Sequence, residues 1–458
     1  MSLRLLAIAL LTSSLGAAIT VDTTSVLREI PPGIGGTNIR AHTPRLAVEP
    51  SIQADLTRSG VRRVRMLAYP DSHRPEHGQD LFDRDVKAVL AAGAEPLFIT
   101  YIEPGLDYRK ADGSPGGSVE TNLVYQVLHY AAPPFNLETQ IWEIGNEPDY
   151  TIDYKVASVA EYTDLFNRCH EALVEAGLRD QVRLAGPAVI GPYRYVGRDW
   201  FNTSLIEGVL TECAHAVDIV SYHHYAPGED RLPSPEALLN HPELDALEQT
   251  GKIPETPLGP EDFGMSALLA RMAEAGLARE PVGVALTEHN SIGYHHSLYQ
   301  ALYNLIVTQF HLRNPRSELT ASYVFDAAPP LDGHGHYHRD GRPDYNHHAL
   351  YLRNRLRGDE LLEASHGTRS NAHGNPRLLT VATRDRHHLY LEVINRSPEA
   401  IEEPIRWIGT APEGTPEVFR LDAQTLPANP VVRESFDGFP AFSTTVLRWQ
   451  RRPAGPDG

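Results

Sequence analysis

The chain has 458 residues, of which 41% are hydrophobic and 22% are charged. This length allows two or three domains, or one large barrel with an additional domain, and the composition excludes a mostly disordered chain. The formal net charge of −18 repels nucleic-acid phosphates and anionic lipid surfaces, so we expect no nucleic-acid partner. The two cysteines, Cys169 and Cys213, are too few for a disulfide framework, although they could form one bridge.

The N-terminal segment has the pattern of a secretory signal. Arg4 precedes the apolar run Leu5–Leu11, and the small residues of Gly16–Ala18 follow where a signal peptidase cleaves. The alternative is that this run forms a first buried strand. Beyond it, no apolar stretch of about 18 or more residues occurs, so we expect no membrane insertion. We predict that residues 1–18 are an export signal and that the protein is secreted, to the extracellular medium or the periplasm.

Residues 33–360 alternate short β-branched runs with longer segments of helical periodicity, which is the pattern of parallel strands joined by helices. The predicted strands are Ile34–Arg40, Val61–Leu67, Glu95–Glu103, Gln140–Asn146, Val182–Ala185, Val217–His223, Val282–Glu288 and Ala321–Asp326. The predicted helices include Leu81–Ala92, Ser158–Ala176, Ser297–Leu312 and His347–Leu356. This alternation predicts an α/β fold of the (β/α)8 barrel type, with its active site where the C-terminal ends of the strands meet the loops.

The pattern changes after Arg357, where strands follow one another without helices between them. They are predicted at Leu378–Thr383, His388–Ile394, Val418–Leu421 and Phe442–Trp449. Residues 361–450 are therefore predicted to form a small antiparallel β-sandwich. Residues 19–32 are a candidate additional strand of that sandwich, and residues 451–458 are predicted to be a frayed tail.

Two predicted barrel strands end in glutamates. The fourth strand leads into Trp142–Asp149, which contains Glu147, and the seventh leads into Ala285–Asn290, which contains Glu288. Because these strands are three apart around an eight-stranded barrel, the two carboxyl groups can face each other across its mouth. Retaining cleavage of a glycosidic bond needs two carboxyl groups about 5 to 5.5 Å apart, one to protonate the leaving oxygen and one to attack the sugar. This pair of glutamates can supply both.

Further polar residues accompany the two glutamates. Asn146 and Pro148 flank Glu147, His223–Tyr225 ends the sixth strand, and Arg65 lies near the end of the second. The tripeptide Asn-Glu-Pro alone is a weak signal, but all these elements occur in the correct strand order. Together they resemble the clan A retaining glycoside hydrolases, which have (β/α)8 barrels. The additional β-domain is similar to that of families 39, 51, 30 and 79 of this clan.

The resemblance implies a role for each matching residue. Glu147 would be the general acid/base and Glu288 the nucleophile, while Asn146 would hold the sugar 2-hydroxyl group. Tyr225 would hydrogen-bond the nucleophile, and Arg65 would keep it ionised, since a neighbouring cation favours the charged form. The implied reaction is double displacement on arabinofuranosides, xylosides or glucuronides of plant or matrix polysaccharides, and it requires no cofactor.

Some positions depart from the pattern of these families. Their eighth strand supplies a tryptophan to the floor of the sugar site, whereas this chain has Ser322–Asp326 there. Either Phe325 substitutes for that tryptophan or the subsite is built differently. The residue after the seventh-strand glutamate is His289, where several of these families have tryptophan. His223 is included among the sugar-binding residues, although a single strand histidine is more often buried in a core.

Other side chains allow different interpretations. Glu143 lies within the fourth strand, and we interpret it as a structural charge of the barrel wall that pairs with Arg65. The loop after the eighth strand contains His334, His336 and His338, from which a zinc or copper site could be built. We expect this loop instead to lie over the barrel mouth and to bind a sugar. The alternatives to a glycosidase are a barrel that binds carbohydrate without cleaving it and a metal-dependent hydrolase that uses the loop.

Overall fold

The structure is a computed structural model that describes residues 18–40, 45–67, 79–102, 108–149, 158–190, 201–250, 265–274, 276, 282–326, 333–338, 340–372, 374–424, 431–433 and 435–451. The predicted export signal therefore lies outside the described residues except for Ala18, and so do residues 452–458 of the predicted tail. Within the described ranges, no helix combines the length and the apolar character needed to cross a membrane.

Eight parallel strands close into a barrel. After β1 (Ile19–Glu29), which belongs to another sheet, the barrel strands are β2 (Gly33–Arg40), β3 (Arg63–Leu67), β4 (Glu95–Thr100), β5 (Gln140–Ile144), β6 (Val182–Val189), β7 (Ile219–Ala226), β8 (Gly283–Ser291) and β9 (Ser317–Ser322). These strands are covered on both faces, which is why they read as nearly continuous apolar runs. The eight predicted strands are present, but β9 ends at Ser322 instead of continuing to Asp326.

The described residues include ten α-helices, most of which pack around the barrel. They are α1 (Arg45–Val48), α2 (Pro50–Ser59), α3 (Gln79–Ala91), α4 (Val119–Ala131), α5 (Val159–Glu175), α6 (Phe201–Glu212), α7 (Pro235–Thr250), α8 (Met265–Glu274), α9 (Leu298–Arg313) and α10 (Tyr345–Arg355). Side-chain caps begin four of them: Ser158 for α5, Ser234 for α7, Ser297 for α9 and Asp344 for α10. Cys169 and Cys213 are buried free thiols, so they form no bridge.

The second sheet consists of β1 and the strands that follow the barrel. These are β10 (Glu360–Ala364), β11 (Leu378–Arg384), β12 (His388–Asn395), β13 (Ile405–Ile408), β14 (Glu417–Leu421), β15 (Val431–Arg433) and β16 (Ser443–Gln450). The strand order is β13-β1-β10-β11-β12-β16-β14-β15. Neighbours are antiparallel except for β1 and β13, which pair in parallel. The predicted fold class, a (β/α)8 barrel with a C-terminal β-domain, is confirmed, and its sheet is mixed by that one parallel pair.

The barrel interior has two layers that differ in polarity. The lower layer is a buried apolar cluster of Leu97, Ile141, Ala185, Ile219, Ala285, Leu319 and Ala321. Residues two positions apart on a strand face the same side of the sheet. On β5, Ile141 is therefore followed on the interior face by Glu143, and on β8 Ala285 is followed by Thr287; both of these polar side chains are buried. The upper layer, at the C-terminal ends of the strands, is thus polar and positions the candidate site.

Candidate active site

Arg65, on β3, is the centre of the polar layer. Its side chain is fully buried and donates hydrogen bonds to Glu143 Oε2 at 2.6 Å and to Glu288 Oε1 at 2.5 Å. It also donates to Asn146 Oδ1 at 2.8 Å and to Asn38 Oδ1 at 3.1 Å. Burial alone would lower the pKa of Arg65, but the two carboxylates raise it above its ordinary value. The predicted pairing of Arg65 with Glu143 is confirmed, and the guanidinium also reaches Glu288.

Glu288, near the end of β8, is a buried carboxylate with three polar neighbours. The Tyr225 hydroxyl group donates a hydrogen bond to Glu288 Oε2 at 2.6 Å, while Arg65 donates one to the other oxygen. The Nδ1 atom of His223 lies 3.7 Å from the same Oε2 atom. Burial raises the pKa of Glu288, but His223, Arg65 and Tyr225 outweigh burial and hold the pKa below its ordinary range. Glu288 is therefore ionised at neutral pH.

Glu147 lies on the turn after β5 and is the more accessible of the two glutamates. Its side chain is 19% exposed, compared with 7% for Glu288. His223 Nδ1 lies 2.8 Å from Glu147 Oε1, so the imidazole stands between the two carboxyl groups. Burial lowers the pKa of His223, but Glu288 and Glu147 raise it above its ordinary value. His223 can therefore carry a proton beside an ionised Glu288.

The two carboxyl groups are close together. One oxygen of Glu147, one oxygen of Glu288 and one nitrogen of His223 all lie within 4.8 Å of one another. Retaining glycosidases have carboxyl groups about 5 to 5.5 Å apart, whereas inverting enzymes need about 6.5 to 9.5 Å to admit a water molecule. The spacing thus suits direct attack by a carboxylate on a sugar.

These three donors are also the set in the described ranges that could share a metal ion. Both oxygens of Glu288, however, already accept hydrogen bonds from Arg65 and Tyr225. The guanidinium lies 2.5 Å from one of them, so its positive charge would repel a metal ion placed between the glutamates. The arrangement fits proton transfer better than it fits metal coordination.

The histidines of the loop after β9 face different neighbours. Ring centroids are separated by 5.7 Å for His334 and Tyr225, 6.0 Å for His336 and Phe325, and 5.6 Å for His338 and His296. Across the part of the chain that the structure describes, these histidines form no converging group of three metal donors. Within residues 333–338 and 340–344, the part of this loop that the structure describes, the metal alternative has no donor set. His334 is the loop histidine that lies beside the site.

The structure does not bring Phe325 to this group. Its side chain is fully buried and packs among rings behind the site, because β9 ends at Ser322 and the chain turns there. Tyr323 lies at the site instead, with its ring 6.3 Å from Tyr225, and it packs against the buried cluster formed by Ile99 and Tyr101. Neither Tyr101 nor Tyr323 was predicted at the site. Each is an aromatic residue just after a barrel strand, whereas Tyr225 was identified by the resemblance of His223–Tyr225 to a family motif.

The other predicted site residues come together. Arg65, Asn146, Glu147, Tyr225 and Glu288 are linked by the contacts above, and His223 joins the two glutamates. Asn38 was not predicted, although it is a polar residue inside a barrel strand. Its amide group donates to the Thr287 carbonyl at 3.0 Å and to the Ser322 carbonyl at 3.3 Å. These hydrogen bonds connect β2 to β8 and β9.

No protein-family model matches the sequence, and no curated protein is similar to it in sequence. Solved structures, by contrast, match nearly the whole chain. An α-L-arabinofuranosidase from Thermotoga maritima matches with a TM-score of 0.67 at 17% identity, over 95% of this chain and 100% of that one. A monomeric β-xylosidase from Caulobacter crescentus CB15 matches with a TM-score of 0.63 at 15% identity, over 95% and 99%.

A family 39 enzyme from Xanthomonas axonopodis pv. citri also matches, with a TM-score of 0.60 at 15% identity, over 96% of this chain and 99% of that one. A family 51 arabinofuranosidase from the same organism matches with a TM-score of 0.68 at 13% identity, over 95% and 100%. At these identities the likeness establishes the fold and not the activity. The chain has the fold of the family 51 and family 39 glycoside hydrolases of clan A, as the motifs at its strand ends imply.

Proposed function

We propose that the chain is a retaining glycoside hydrolase in which Glu288 is the nucleophile and Glu147 the general acid/base. The observation that carries the proposal is the short spacing of the two carboxyl groups, with oxygens within 4.8 Å of each other. Their surroundings differ as the reaction requires. Glu288 is buried and held ionised by Arg65 and Tyr225, whereas Glu147 is more open to solvent and bonded to His223.

The first chemical step forms a glycosyl-enzyme. A Glu288 oxygen attacks the anomeric carbon while Glu147 transfers its proton to the glycosidic oxygen. The bond from the anomeric carbon to the leaving group breaks, and the leaving group departs as an alcohol. His223, 2.8 Å from Glu147, stabilises the carboxylate that this proton transfer leaves behind.

The second step releases the sugar. Glu147, now a carboxylate, takes a proton from a water molecule whose oxygen attacks the anomeric carbon. The ester bond to Glu288 breaks, and both glutamates return to their starting protonation states. Two inversions at the same carbon leave the product with the configuration of the substrate. The greater exposure of Glu147 gives the water a route to this carboxylate.

The sugar-binding surface follows from the same geometry. The Asn146 carbonyl oxygen is held by Arg65 at 2.8 Å, so its amide hydrogens are directed elsewhere and suit a sugar hydroxyl. The rings of Tyr323 and His334 lie beside Tyr225, the residue that donates to Glu288, and aromatic rings of this kind can pack against the apolar side of a sugar. We propose arabinofuranosides, xylosides or glucuronides of plant or matrix polysaccharides as substrates. The arabinofuranosidases and the β-xylosidase of similar fold support the first two classes.

A panel of aryl glycosides tests the proposal. We expect the wild-type protein to release the phenol from at least one arabinofuranoside, xyloside or glucuronide, with retention of configuration by NMR. The Glu288→Ala variant should lose turnover. Azide should restore phenol release in that variant and yield a glycosyl azide of inverted configuration, because azide then attacks in place of the carboxylate.

A matched control is Glu318→Gln, on β9 near the opposite end of the barrel, where the carboxylate pairs with Arg183 at 2.5 Å. This variant should keep wild-type turnover. Binding of a glycoside without turnover across the panel would instead support the carbohydrate-binding barrel. Wild-type activity in Glu288→Ala would refute the assignment of the nucleophile. Loss of activity in excess chelator would favour the metal-dependent alternative.

A further inference from the structure

The turn that carries Glu147 has an unusual backbone conformation. Glu147 has a φ angle of 46°, and Ala188, on the neighbouring strand β6, has a φ angle of 52°. Both lie in the left-handed region, which side chains larger than that of glycine disfavour. The Glu147 N–H group donates to the Ala188 carbonyl at 3.0 Å. Such strain persists only where surrounding contacts hold it, and it is characteristic of functional sites.

Asp149 forms a second connection between the same two segments. Its side chain is buried, with 8% of the residue exposed. The two carboxylate oxygens accept a shared hydrogen bond from the Ile190 N–H group, at 3.1 and 3.3 Å. The turn is therefore attached to the end of β6 at two points, one at the backbone of Glu147 and one two residues later.

The charges around Asp149 belong to the candidate site. Among the described residues, the charges of Glu147, on the same turn, and His223, on β7, shift the pKa of the Asp149 carboxyl group. The charge of Asp149 in turn helps to raise the pKa of Tyr162, on α5. Burial is the largest cause that raises the pKa of Asp149, to about 7, and the charge of Glu147 adds to it. Near neutral pH the carboxyl group is thus partly protonated, and either form retains an oxygen that can accept from Ile190.

We propose, on the basis of the proposed function, that Asp149 is a positioning residue that holds Glu147 in line with the leaving oxygen. Asp149 is buried and would act through the turn. Its carboxyl group fixes the Ile190 amide and with it the turn, so that Glu147 keeps the strained conformation from which it delivers its proton. Proton delivery depends on alignment within hydrogen-bond reach, so a loosened turn should impair the acid step more than the attack of Glu288.

The test compares leaving groups on the sugar that the wild-type enzyme cleaves. Dinitrophenol departs without a proton, whereas unsubstituted phenol needs one from Glu147. In Asp149→Ala we expect kcat/KM for the phenyl glycoside to fall about 100-fold, with little change for the dinitrophenyl glycoside. Asp149→Asn keeps an acceptor oxygen at the same place, so it should restore the phenyl glycoside to near the wild-type value. Asp164→Ala, on the exposed face of α5, is the control and should behave as wild type.

Two results would overturn the proposal. One is an equal loss for both leaving groups in Asp149→Ala, accompanied by a lower melting temperature, which would show a merely structural role. The other is wild-type kinetics across the series. If Asp149→Ala does not fold, the Asp149→Ser variant, whose side chain is shorter, is measured in its place. Failure of the proposed function would look different from failure of the role of Asp149. In that case the wild-type protein would cleave neither glycoside, or the activity of Glu147→Ala would not depend on the leaving group.

Discussion

The two layers of the barrel interior are built from the same strands but differ in polarity and, we infer, in function. In the lower layer, Leu97, Ile141 and Ala285 are buried among other apolar side chains. In the upper layer, Arg65 and Glu143 are just as completely buried, and each carries a charge. A change of two residues along β5 therefore replaces an apolar contact with an ion pair.

This contrast in polarity indicates which layer stabilises the barrel and which layer supports the proposed reaction. Apolar side chains stabilise a fold when they leave water, whereas buried charges pay a desolvation penalty that even good pairing only offsets. Replacing a buried ion pair by apolar residues is often neutral or stabilising. We therefore interpret the upper layer as retained for the carboxylate it holds ionised, Glu288, and the lower layer as the part that stabilises the barrel. Four predictions test this contrast.

The largest effect is expected when the upper layer loses its cation. Arg65→Met leaves Glu143 buried without its counter charge and leaves Glu288 with His223 as its remaining positive neighbour. We expect the free energy of unfolding to fall by about 3 to 5 kcal/mol, measured by urea denaturation. Because the pKa of Glu288 should rise without the guanidinium, kcat/KM should fall by about 1,000-fold.

Arg353 provides the matched control for this change. It is buried and pairs with Glu392 Oε1 at 2.9 Å, between α10 and the β-domain. Arg353→Met should lose a comparable amount of stability, yet its folded fraction should keep the wild-type kcat. If Arg65→Met instead kept kcat within about tenfold of wild type, the upper layer would not serve the chemistry.

The lower layer should show the opposite behaviour. Leu97 is fully buried in the apolar cluster, so Leu97→Ala creates a cavity and should lower the free energy of unfolding by about 3 kcal/mol. The folded protein should retain wild-type kcat/KM, measured at a temperature well below the melting transition. A catalytic loss as large as that of Arg65→Met would show that the two layers are not separable.

The pH dependence of stability should also originate at the mouth of the barrel. Folding raises the pKa of Asp149 to about 7 from 3.8, so the folded state binds a proton that the unfolded state has lost. Stability from this group is present below pH 4 and is lost as the pH rises towards and through 7. Asp149→Asn cannot ionise, so its stability relative to wild type should increase by about 2 kcal/mol between pH 5 and pH 8.

Urea denaturation at the two pH values measures this difference. Leu97→Ala, which removes no titratable group, is the control and should remain parallel to wild type at both pH values. A constant difference between Asp149→Asn and wild type would show that the carboxyl group of Asp149 does not titrate in this range.

The smallest effect is expected from one hydroxyl group of the upper layer. Tyr225→Phe removes the donor to Glu288 Oε2, so kcat/KM should fall about 10- to 100-fold. This donation helps to lower the pKa of Glu288, so its loss should move the acidic limb of the kcat/KM profile to higher pH. Tyr222→Phe, on the same strand, is the control, since that hydroxyl contacts His311 at 3.3 Å. An unmoved acidic limb would contradict the role of Tyr225.

Much of the barrel could be predicted because its signals are local. Each strand is a short, buried apolar run, and each helix follows within a few residues, so the alternation is visible in sequence. The last strand was less predictable. The apolar character continues past Ser322 to Phe325, but β9 ends at Ser322, because its partners β2 and β8 pair only as far as that residue. Apolar character alone could not distinguish the strand from the buried turn after it.

In the candidate site, too, some residues were predictable from local sequence signals and others depend on contacts between distant strands. Glu147 and Glu288 were found because they lie at the ends of predicted strands, which meet at the barrel mouth, whereas Tyr225 was identified by the resemblance to a family motif. Phe325 was predicted at the site and lies behind it, while Tyr323 takes the place beside Tyr225. Which of two aromatic residues in one segment faces the site depends on where pairing stops, and that is set by contacts with distant strands.

The order of strands and helices, the change to a β-domain after the barrel and the two glutamates at strand ends could all be predicted from the sequence. Periodicity and composition carry that information over short distances. The sequence suggested that Arg65 lies near Glu143 and Glu288 and that residues 19–32 add a strand to the second sheet, but these contacts are seen in the tertiary structure alone. The position of His223 between the two glutamates, and the Asn38 contact with Arg65, were not predictable from the sequence. These contacts join residues far apart in the chain, and closing the barrel with one particular register is what brings them together.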